Sequence, residues 1–265
     1  MSKGKEKTAG KWPAEVRFFR HAESAYNVLK VKKAQDKEYQ KFLESFEDNP
    51  DCAKTRQLAK KMQKKFALGR SDRGTPITVK GEIQAMDTGR NLPREWGVPD
   101  VIFVSPYDRA LMTLLMVQGN YPELKEIKVV EEERVREQDH GLSLIYNDWR
   151  IFHALNPDQA KLFELLGEYD YRFPNGENRP DVRERTRSFL GTLIRDFAGK
   201  KVWVFTHHLT ILSFRANLER WNAEKFMDSD KHDKPLNCGV TSYICNPTMG
   251  NNGKLILHGY NEVFY

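Results

Sequence analysis

Cysteine is scarce in this chain of 265 residues, which contains only Cys52, Cys238 and Cys245. The number is odd and the spacing fits no metal-ligand pattern, so neither a disulfide framework nor a zinc-binding module is expected. Cysteine usage of this kind favours a reducing compartment, and we expect a cytoplasmic protein.

Long apolar runs are missing as well. No segment approaches the roughly 20 consecutive apolar residues that cross a bilayer, so we expect no association with a membrane. Residues 1–11 are rich in lysine and glycine and have no apolar centre, which does not fit a secretory signal. We expect residues 1–12 to be a disordered basic tail and residues 13–265 to form a single domain.

The rest of the composition is typical of a soluble globular protein. Hydrophobic residues make up 39% and charged residues 30%, and a chain of this length can bury the core of one large α/β domain. The net charge of +6 favours anionic partners but does not distinguish nucleic acid, membrane or phosphorylated metabolites.

A short apolar run near the N-terminus leads directly into two residues that could bind and attack a phosphate. Residues 16–19 are β-branched or aromatic apart from one arginine, and they predict a buried strand. Arg20 and His21 then follow at its carboxyl end, where open α/β sheets bind ligands. Arg20 offers a fork of donors that matches phosphate, and a neutral His21 offers a ring nitrogen as nucleophile.

Two later segments repeat this arrangement. Residues 101–104 predict a second buried strand, after which Ser105 is expected to cap a helix with Asp108 completing a capping box. Arg109 would then lie in the first helical turn, beside free N–H groups that favour an anion. Residues 202–205 predict another strand that runs into His207 and His208, with a helix over 209–218.

These segments resemble the motifs of the histidine phosphatase superfamily, which includes the cofactor-dependent phosphoglycerate mutases. Residues 20–27 resemble its signature Arg-His-Gly-Glu-Ser-x-x-Asn and depart from it only at Ala22, where glycine is usual. Residues 105–113 resemble Ser-Pro-x-x-Arg-Ala-x-x-Thr. Residues 78–85 resemble a structural helix of the family, and residues 174–177 its Pro-x-Gly-Glu stretch.

The resemblance implies a three-layer αβα sandwich, a mostly parallel sheet with helices on both faces. It also implies phosphatase chemistry through a covalent phosphohistidine, without metal or cofactor. The implied catalytic residues are His21, Glu137 and His207, with Asp139 as the neighbour to consider if Glu137 points away. The implied phosphate-binding residues are Arg20, Asn27, Arg109 and His207, and the candidate substrate contacts are Ser24 and His208.

Three other functions stay open. A phosphoglycerate mutase would use the same residues, although the long proline-rich segment that those mutases carry after the acid motif is missing. A metal hydrolase could use His21, His207 and Glu137 as ligands, but Arg20 and Arg109 would repel a cation. A binding protein for phosphorylated ligands could have lost catalysis. The expected partner is a small phosphorylated substrate, and the oligomeric state is open.

Acidic residues are absent between Cys52 and Ser71, inside a segment that resembles an insertion. Apolar residues at helical spacing, with a break at 48–51, predict a helical hairpin over about 30–70. Its basic side chains are either a solvated face or a basic cap over the phosphate site. Its aromatic residues belong to the apolar stripe, so we expect no nucleic-acid binding.

The remaining patterns predict structural elements without an assigned role. We expect a helix over 78–92 capped by Thr78, a strand at 129–130, helices within 146–166, a turn over 171–177, a helix over 182–197, and edge strands over 241–245 and 255–260. Residues 131–133 are expected to be solvated. Four further histidines are expected to be surface or packing residues: His140, His153, His232 and His258.

Overall fold

The computed structural model describes residues 11–250 and 252–265. In this part of the chain one sheet has six strands in the order β3-β2-β4-β1-β5-β6. The strands are β1 Glu15–Arg20, β2 Val101–Val104, β3 Val129–Glu131, β4 Lys201–Thr206, β5 Val240–Asn246 and β6 Lys254–Glu262.

The sheet is parallel from β3 to β1, and β5 and β6 extend it antiparallel at one edge. The helices are α1 Ala25–Gln35, α2 Lys37–Asp48, α3 Ala53–Lys65, α4 Val79–Asn91, α5 Asp108–Asn120, α6 Trp149–Leu155, α7 Pro157–Asp170, α8 Arg179–Asp196, α9 His208–Leu218 and α10 Ala223–His232. Short 3₁₀ turns lie at Arg94–Trp96, Pro122–Glu126, Glu133–Val135 and Gly141–Ile145.

Helices cover both faces of the sheet because side chains alternate along each central strand. Phe19 of β1 and Phe205 of β4 face the same way, into a core shared with α4 and α5. Phe18 and Val204 face the other way, into a core shared with α8 and α9. The predicted α/β sandwich is therefore confirmed, including the edge strands at the end of the chain.

The segment 30–70 contains the predicted hairpin, formed by α2 and α3, but the helical region begins earlier. Helix α1 starts at Ala25 and is capped by Ser24, a start that the sequence patterns did not indicate. A separate apolar cluster joins α2 and α3 to α6 and includes Phe42, Met62 and Ile151. The hairpin therefore packs on α6 and not on the sheet.

The capping box predicted at Ser105 is wrong. Helix α5 begins only at Asp108, with Tyr107 as its N-cap and no side-chain cap. The Ser105 hydroxyl lies 2.7 Å from His207 Nε2 and accepts a hydrogen bond from Tyr107 N at 3.3 Å, within a bend that precedes the helix. Arg109 nevertheless lies in the first turn, as expected.

The expected disordered tail, residues 1–12, falls mostly outside the described residues. At its end, Trp12 packs against the α8–α9 core, and its carbonyl accepts a hydrogen bond from Gly199 N. These last residues therefore belong to the folded domain. Across the described ranges, no helix has the length and apolar character required to cross a membrane.

The structure differs from the sequence-based predictions at two further points. Glu132 is not simply solvated, because its carboxylate binds the Arg134 guanidinium at 2.7 Å. Helix α10 was not anticipated, since its sequence is mostly polar and only Phe226 of its apolar residues is buried. Tertiary contacts with α9 stabilise it through a small cluster that includes Leu209 and Leu212.

Candidate active site

The candidate site lies where three neighbouring parallel strands end. Arg20 and His21 close β1, His207 follows β4, and Ser105 follows β2. A cavity of about 520 Å³ opens over this edge of the sheet. Its wall includes most of the residues expected from the sequence: Arg20, His21, Ser24, Asn27, Arg109, Glu137 and His208.

One ring nitrogen of His21 is held in a hydrogen bond to the backbone. Its Nδ1 lies 2.7 Å from the carbonyl oxygen of Ala22, and a carbonyl only accepts, so Nδ1 carries the hydrogen. Nε2 is then the ring's lone-pair nitrogen. Burial, followed by the charges of Arg109 and Arg20, lowers the pKa of His21 well below its usual range, which favours the neutral ring.

The backbone around His21 is fixed by hydrogen bonds to two side chains. The His21 carbonyl accepts a hydrogen bond from Asn237 Nδ2 at 2.9 Å, and Ala22 N donates to Thr113 Oγ1 at 2.9 Å. The Ala22 methyl group lies in the core shared with α4 and α5. Alanine is therefore accommodated where the signature usually has glycine.

Arg20 keeps one donor without a partner. Its Nη1 donates to the Pro235 carbonyl at 2.6 Å, whereas its Nε is buried and has no hydrogen-bond partner among the described residues. An unpartnered buried N–H is costly, so Nε is a natural contact for a ligand oxygen.

Arg109 is already engaged by an acid that the sequence did not point to. Its Nη1 donates to Asp72 Oδ1 at 3.0 Å and to the Asp72 carbonyl at 2.7 Å. Asp72 lies on the loop between α3 and α4 and lines the cavity. This pair holds one side of the guanidinium at the edge of the site.

His207 lies behind the wall and does not line it. It is fully buried, and its ring centroid is 5.2 Å from that of His21. Its Nε2 lies 2.7 Å from Ser105 Oγ, and its Nδ1 has no partner among the described residues. Burial, then the charges of Arg109 and His21, lowers the pKa of His207, and a bound dianion would act in the opposite direction.

Glu137, and not Asp139, lines the cavity in the described chain. The Glu137 carboxylate accepts hydrogen bonds from Gln138 N at 3.1 Å and from Leu209 N, in the first turn of α9, at 3.4 Å. Asp139 instead accepts from Gly141 N at 2.8 Å. The carboxylate that the resemblance favoured is therefore the one at the cavity.

A half-buried ionic network fixes the Glu137 loop from behind. Arg185 donates to the Glu137 carbonyl at 3.1 Å and to the Glu177 carboxylate at 2.9 Å. Glu177 also accepts from Arg136 Nη2 at 2.6 Å and from Asp139 N at 3.0 Å. This Glu177–Arg185 network gives the predicted turn over 171–177 a role that its sequence pattern did not reveal.

Ser24 and Asn27 form a capping box at the start of α1. Asn27 Oδ1 accepts hydrogen bonds from Ser24 N at 3.0 Å and from Asn237 Nδ2 at 3.3 Å. Because the amide oxygen is occupied, the Asn27 Nδ2 group is the part that can donate to a ligand.

His208 lines the cavity as part of a second charged group. Its Nε2 lies 3.0 Å from Asp230 Oδ1, and Arg179 lies 3.5 Å from the other oxygen of Asp230. Burial lowers the pKa of His208, while Asp230 opposes the shift. His140 also lines the cavity, and its ring packs edge-on near Phe173.

His153, by contrast, is a packing residue, as expected. It is buried among the rings of Trp149, Phe163 and Phe173 and does not line the cavity. No group of three or more His, Cys, Asp or Glu side chains in residues 11–250 and 252–265 is arranged to hold a metal ion.

Comparison with known proteins places this geometry in a family. The family model "Histidine phosphatase superfamily (branch 1)" matches residues 59–247. Phosphoglycerate mutase-like protein AT74 of Arabidopsis thaliana is 31% identical over 174 residues, which cover 58% of this chain and 52% of that protein. Broad-range acid phosphatase DET1 of Saccharomyces cerevisiae is 32% identical over 110 residues, 38% of this chain and 30% of that protein.

The chain thus spans about half or less of the length of these two relatives. Among solved structures, the mycobacterial glucosyl-3-phosphoglycerate phosphatase with inorganic phosphate superimposes with a TM-score of 0.61. The match covers 94% of this chain and 98% of that one at 16% identity, a likeness of fold. Given the family match over most of its length, the chain belongs to the histidine phosphatase superfamily, whose members are phosphatases or mutases.

Proposed function

We propose that the protein hydrolyses phosphate monoesters through a phosphohistidine formed at His21. This proposal rests on the hydrogen bonding of the His21 ring, in which only one of the two nitrogens has a partner. Nδ1 is held by the Ala22 carbonyl, which leaves Nε2 as a neutral nucleophile in a wall that also contains Arg20 and Arg109.

In the first step, Arg20 Nε, Arg109 and Asn27 hold the phosphoryl oxygens, and His207, behind the wall, supports them with positive charge once the bound dianion favours its protonated form. His21 Nε2 donates its lone pair to phosphorus and the bond to the ester oxygen breaks. Protonated Glu137 gives its proton to that leaving oxygen, so an alcohol departs and a phosphohistidine remains. The positive side chains neutralise the phosphoryl charge, as a metal ion does in other phosphatases.

In the second step, ionised Glu137 removes a proton from water as the water attacks phosphorus. The bond between Nε2 and phosphorus breaks, and the electron pair returns to the ring. Free phosphate leaves, and Glu137 is again protonated. The hydrogen stays on Nδ1 and remains hydrogen-bonded to the Ala22 carbonyl throughout, so the ring keeps one tautomer for both steps.

We propose a small phosphorylated metabolite as the substrate, and a cytoplasmic location. The cavity of about 520 Å³ suits a ligand of metabolite size. None of the basic residues of α3 lies in the cavity wall of the described chain, so the idea of a basic cap from that helix is not supported. Lys65 is instead paired with Asp36 at 2.6 Å and with Glu38 at 2.9 Å.

A mutase remains the second candidate, because the plant relative is named phosphoglycerate mutase-like. A mutase returns the phosphoryl group to a second hydroxyl, whereas a phosphatase gives it to water. The missing proline-rich segment after the acid motif favours the phosphatase.

The test supplies 3-phosphoglycerate with a trace of its bisphosphate and measures free phosphate and 2-phosphoglycerate together, alongside a panel of phosphorylated metabolites. We expect phosphate release with little isomer. Fast isomer formation with little phosphate would establish the mutase instead. Tight binding of phosphate esters without either product would indicate a binding protein.

A further inference from the structure

Two lysines enter the same cavity from segments tied to the residues proposed to hold phosphate. Lys30 follows Asn27 by three residues on α1, so both lie on neighbouring turns of one helix face. Lys234 precedes Pro235, whose carbonyl accepts from Arg20 Nη1 at 2.6 Å. Both lysines line the cavity and both are exposed to solvent within it.

The other charges of the cavity wall are largely paired with each other. Asp72 contacts Arg109 at 3.0 Å, and Asp148 contacts Lys33 at 2.9 Å. The two remaining acidic pairs are Glu168 with Arg179 at 3.0 Å and Asp230 with His208 at 3.0 Å. Glu137 is the acid of the wall without an ion pair in the described chain, and its proposed role is proton transfer.

Lys30 and Lys234 have no such partner. Neither forms an ion pair with any described residue, and Lys30 Nζ lies 4.9 Å from the centroid of the Tyr26 ring. The Lys30 side chain reaches solvent, but the cavity walls around it partly desolvate its ammonium group, and this desolvation, followed by the nearby charges of Lys234 and Arg20, lowers the pKa of Lys30 to about 8. The two ammonium groups therefore repel each other, and the acids whose charges act on them, Glu137 and Asp230, form no ion pair with either lysine.

We propose that Lys30 and Lys234 form a second anion-binding subsite, so that the preferred substrate is a phosphate monoester carrying a further carboxylate or phosphate. The inference rests on the proposed function and names its substrate class. An anionic group there would offset the repulsion between the lysines and gain two charge-assisted contacts. The subsite belongs to α1 and the loop before β5, and not to the basic face of α3.

The test uses three substrates with the same carbon chain: propyl phosphate, 3-phosphooxypropanoate and propane-1,3-diol bisphosphate. They end in a methyl group, a carboxylate and a second phosphate. Replacing Lys30→Gln and Lys234→Gln together should raise KM for the two doubly anionic substrates by about tenfold and leave propyl phosphate nearly unchanged. Of the two doubly anionic substrates, the one whose KM rises more carries the anion that the subsite prefers.

The matched control is the double variant Lys60→Gln and Lys64→Gln, which removes the same charge from exposed positions on α3 outside the cavity wall. Lys30→Arg with Lys234→Arg keeps the charge and should retain the preference. A KM change that is equal for all three substrates, or equal in the α3 control, would overturn the subsite.

Calorimetric binding of the bisphosphate and of propyl phosphate separates this inference from the proposed function. If the wild-type protein binds the bisphosphate more tightly and the lysine variant loses that difference, the subsite stands even where no substrate is hydrolysed. Hydrolysis of 4-nitrophenyl phosphate by the wild-type protein, together with equal binding of the two ligands, would retain the function and contradict the subsite.

Discussion

The two ends of the cavity are built in different ways. At the inner end, His21 and Arg109 are each 4% exposed and follow or face the ends of central strands. At the outer end, Lys30 and Lys234 are exposed, and the Glu168 side chain is 46% exposed. The inner groups are held by buried hydrogen bonds, whereas the outer groups stand on helices and loops far apart in sequence.

This difference suggests that the inner end carries out the reaction and that the outer end selects the substrate. Residues fixed by backbone and buried partners keep reacting atoms in place, and even small displacements there are costly. Exposed residues at the mouth act through charge, which tolerates movement and fades with salt. Variants of the inner end should therefore change kcat, and variants of the outer end should change KM for particular substrates.

The largest effect is expected from His21→Ala at the inner end. Removing the proposed nucleophile should reduce kcat by on the order of a thousandfold or more for every phosphate ester. His258→Ala, at an exposed position on β6, is the matched control and should retain full activity. Substantial turnover by His21→Ala would mean that the inner end does not supply the nucleophile.

A smaller loss of kcat is expected from Glu177→Gln, which touches no part of the cavity. The change weakens the contacts that Arg185 and Arg136 make behind the Glu137 loop. A displaced proton donor should cost about tenfold with alkyl phosphates and much less with 4-nitrophenyl phosphate, whose leaving group needs no proton. The variant Glu137→Gln should show the same dependence on leaving group, with a larger loss.

Equal losses for both leaving groups in Glu177→Gln would contradict this positioning role. A lower melting temperature without any dependence on leaving group would show that the network serves stability alone.

The Asp72–Arg109 pair lies at the inner end and should affect phosphate affinity. Asp72 places a negative charge beside the proposed phosphate-binding arginine. Asp72→Asn should remove the repulsion and strengthen competitive inhibition by inorganic phosphate by about fivefold. Asp158→Asn, whose side chain is 97% exposed, is the control. Weaker inhibition would show that the Asp72 carboxylate mainly orients Arg109.

The smallest effect on turnover is expected from His153→Leu, which should instead change stability with pH. Burial lowers the pKa of His153 from 6.5 to about 4. Below pH 6.5 the unfolded chain therefore binds a proton that the folded chain does not bind, and stability falls as the pH drops toward 4. Between pH 7 and 5 this difference in proton uptake lowers the free energy of unfolding by about 2 kcal/mol.

His153→Leu should lose that part of the acid dependence in denaturant titrations and keep its kcat at pH 7. The control His258→Leu should retain the full acid dependence. An unchanged slope in His153→Leu would show that the ring becomes protonated within the fold.

Local sequence was sufficient to predict the strand ends that carry Arg20, His21 and His207, whereas the αβα sandwich followed from the family resemblance and Asp72 was missed. A short apolar strand followed by His21 or His207 is a contiguous pattern, and the family resemblance added Glu137. The predicted Ser105 cap was wrong because residues 105–107 form a bend, in which Ser105 Oγ accepts a hydrogen bond from Tyr107 N, before the helix begins at Asp108. The contact between Ser105 and His207 joins residues 102 positions apart, which a local pattern cannot reveal.

The outer end could not be predicted because its members meet only in the folded chain. Lys30 and Lys234 are separated by about two hundred residues, and nothing near either distinguishes it from other surface lysines. The α3 lysines drew attention because they are clustered, yet α3 packs on α6 and none of them lies in the cavity wall of the described chain. Clustering in sequence was a poor guide to clustering at the site.

The proposed mechanism requires that His21 carry the phosphoryl group during turnover. The most direct measurement mixes the protein with a ³²P-labelled aryl phosphate, quenches it in alkali within milliseconds and maps the labelled peptide. Glu137→Gln should raise the trapped fraction, since it slows attack by water more than phosphorylation by a good leaving group. We predict an acid-labile, alkali-stable adduct on His21 that forms and decays at rates consistent with kcat. Label on another residue, or phosphate release through a path that never labels His21, would contradict the account.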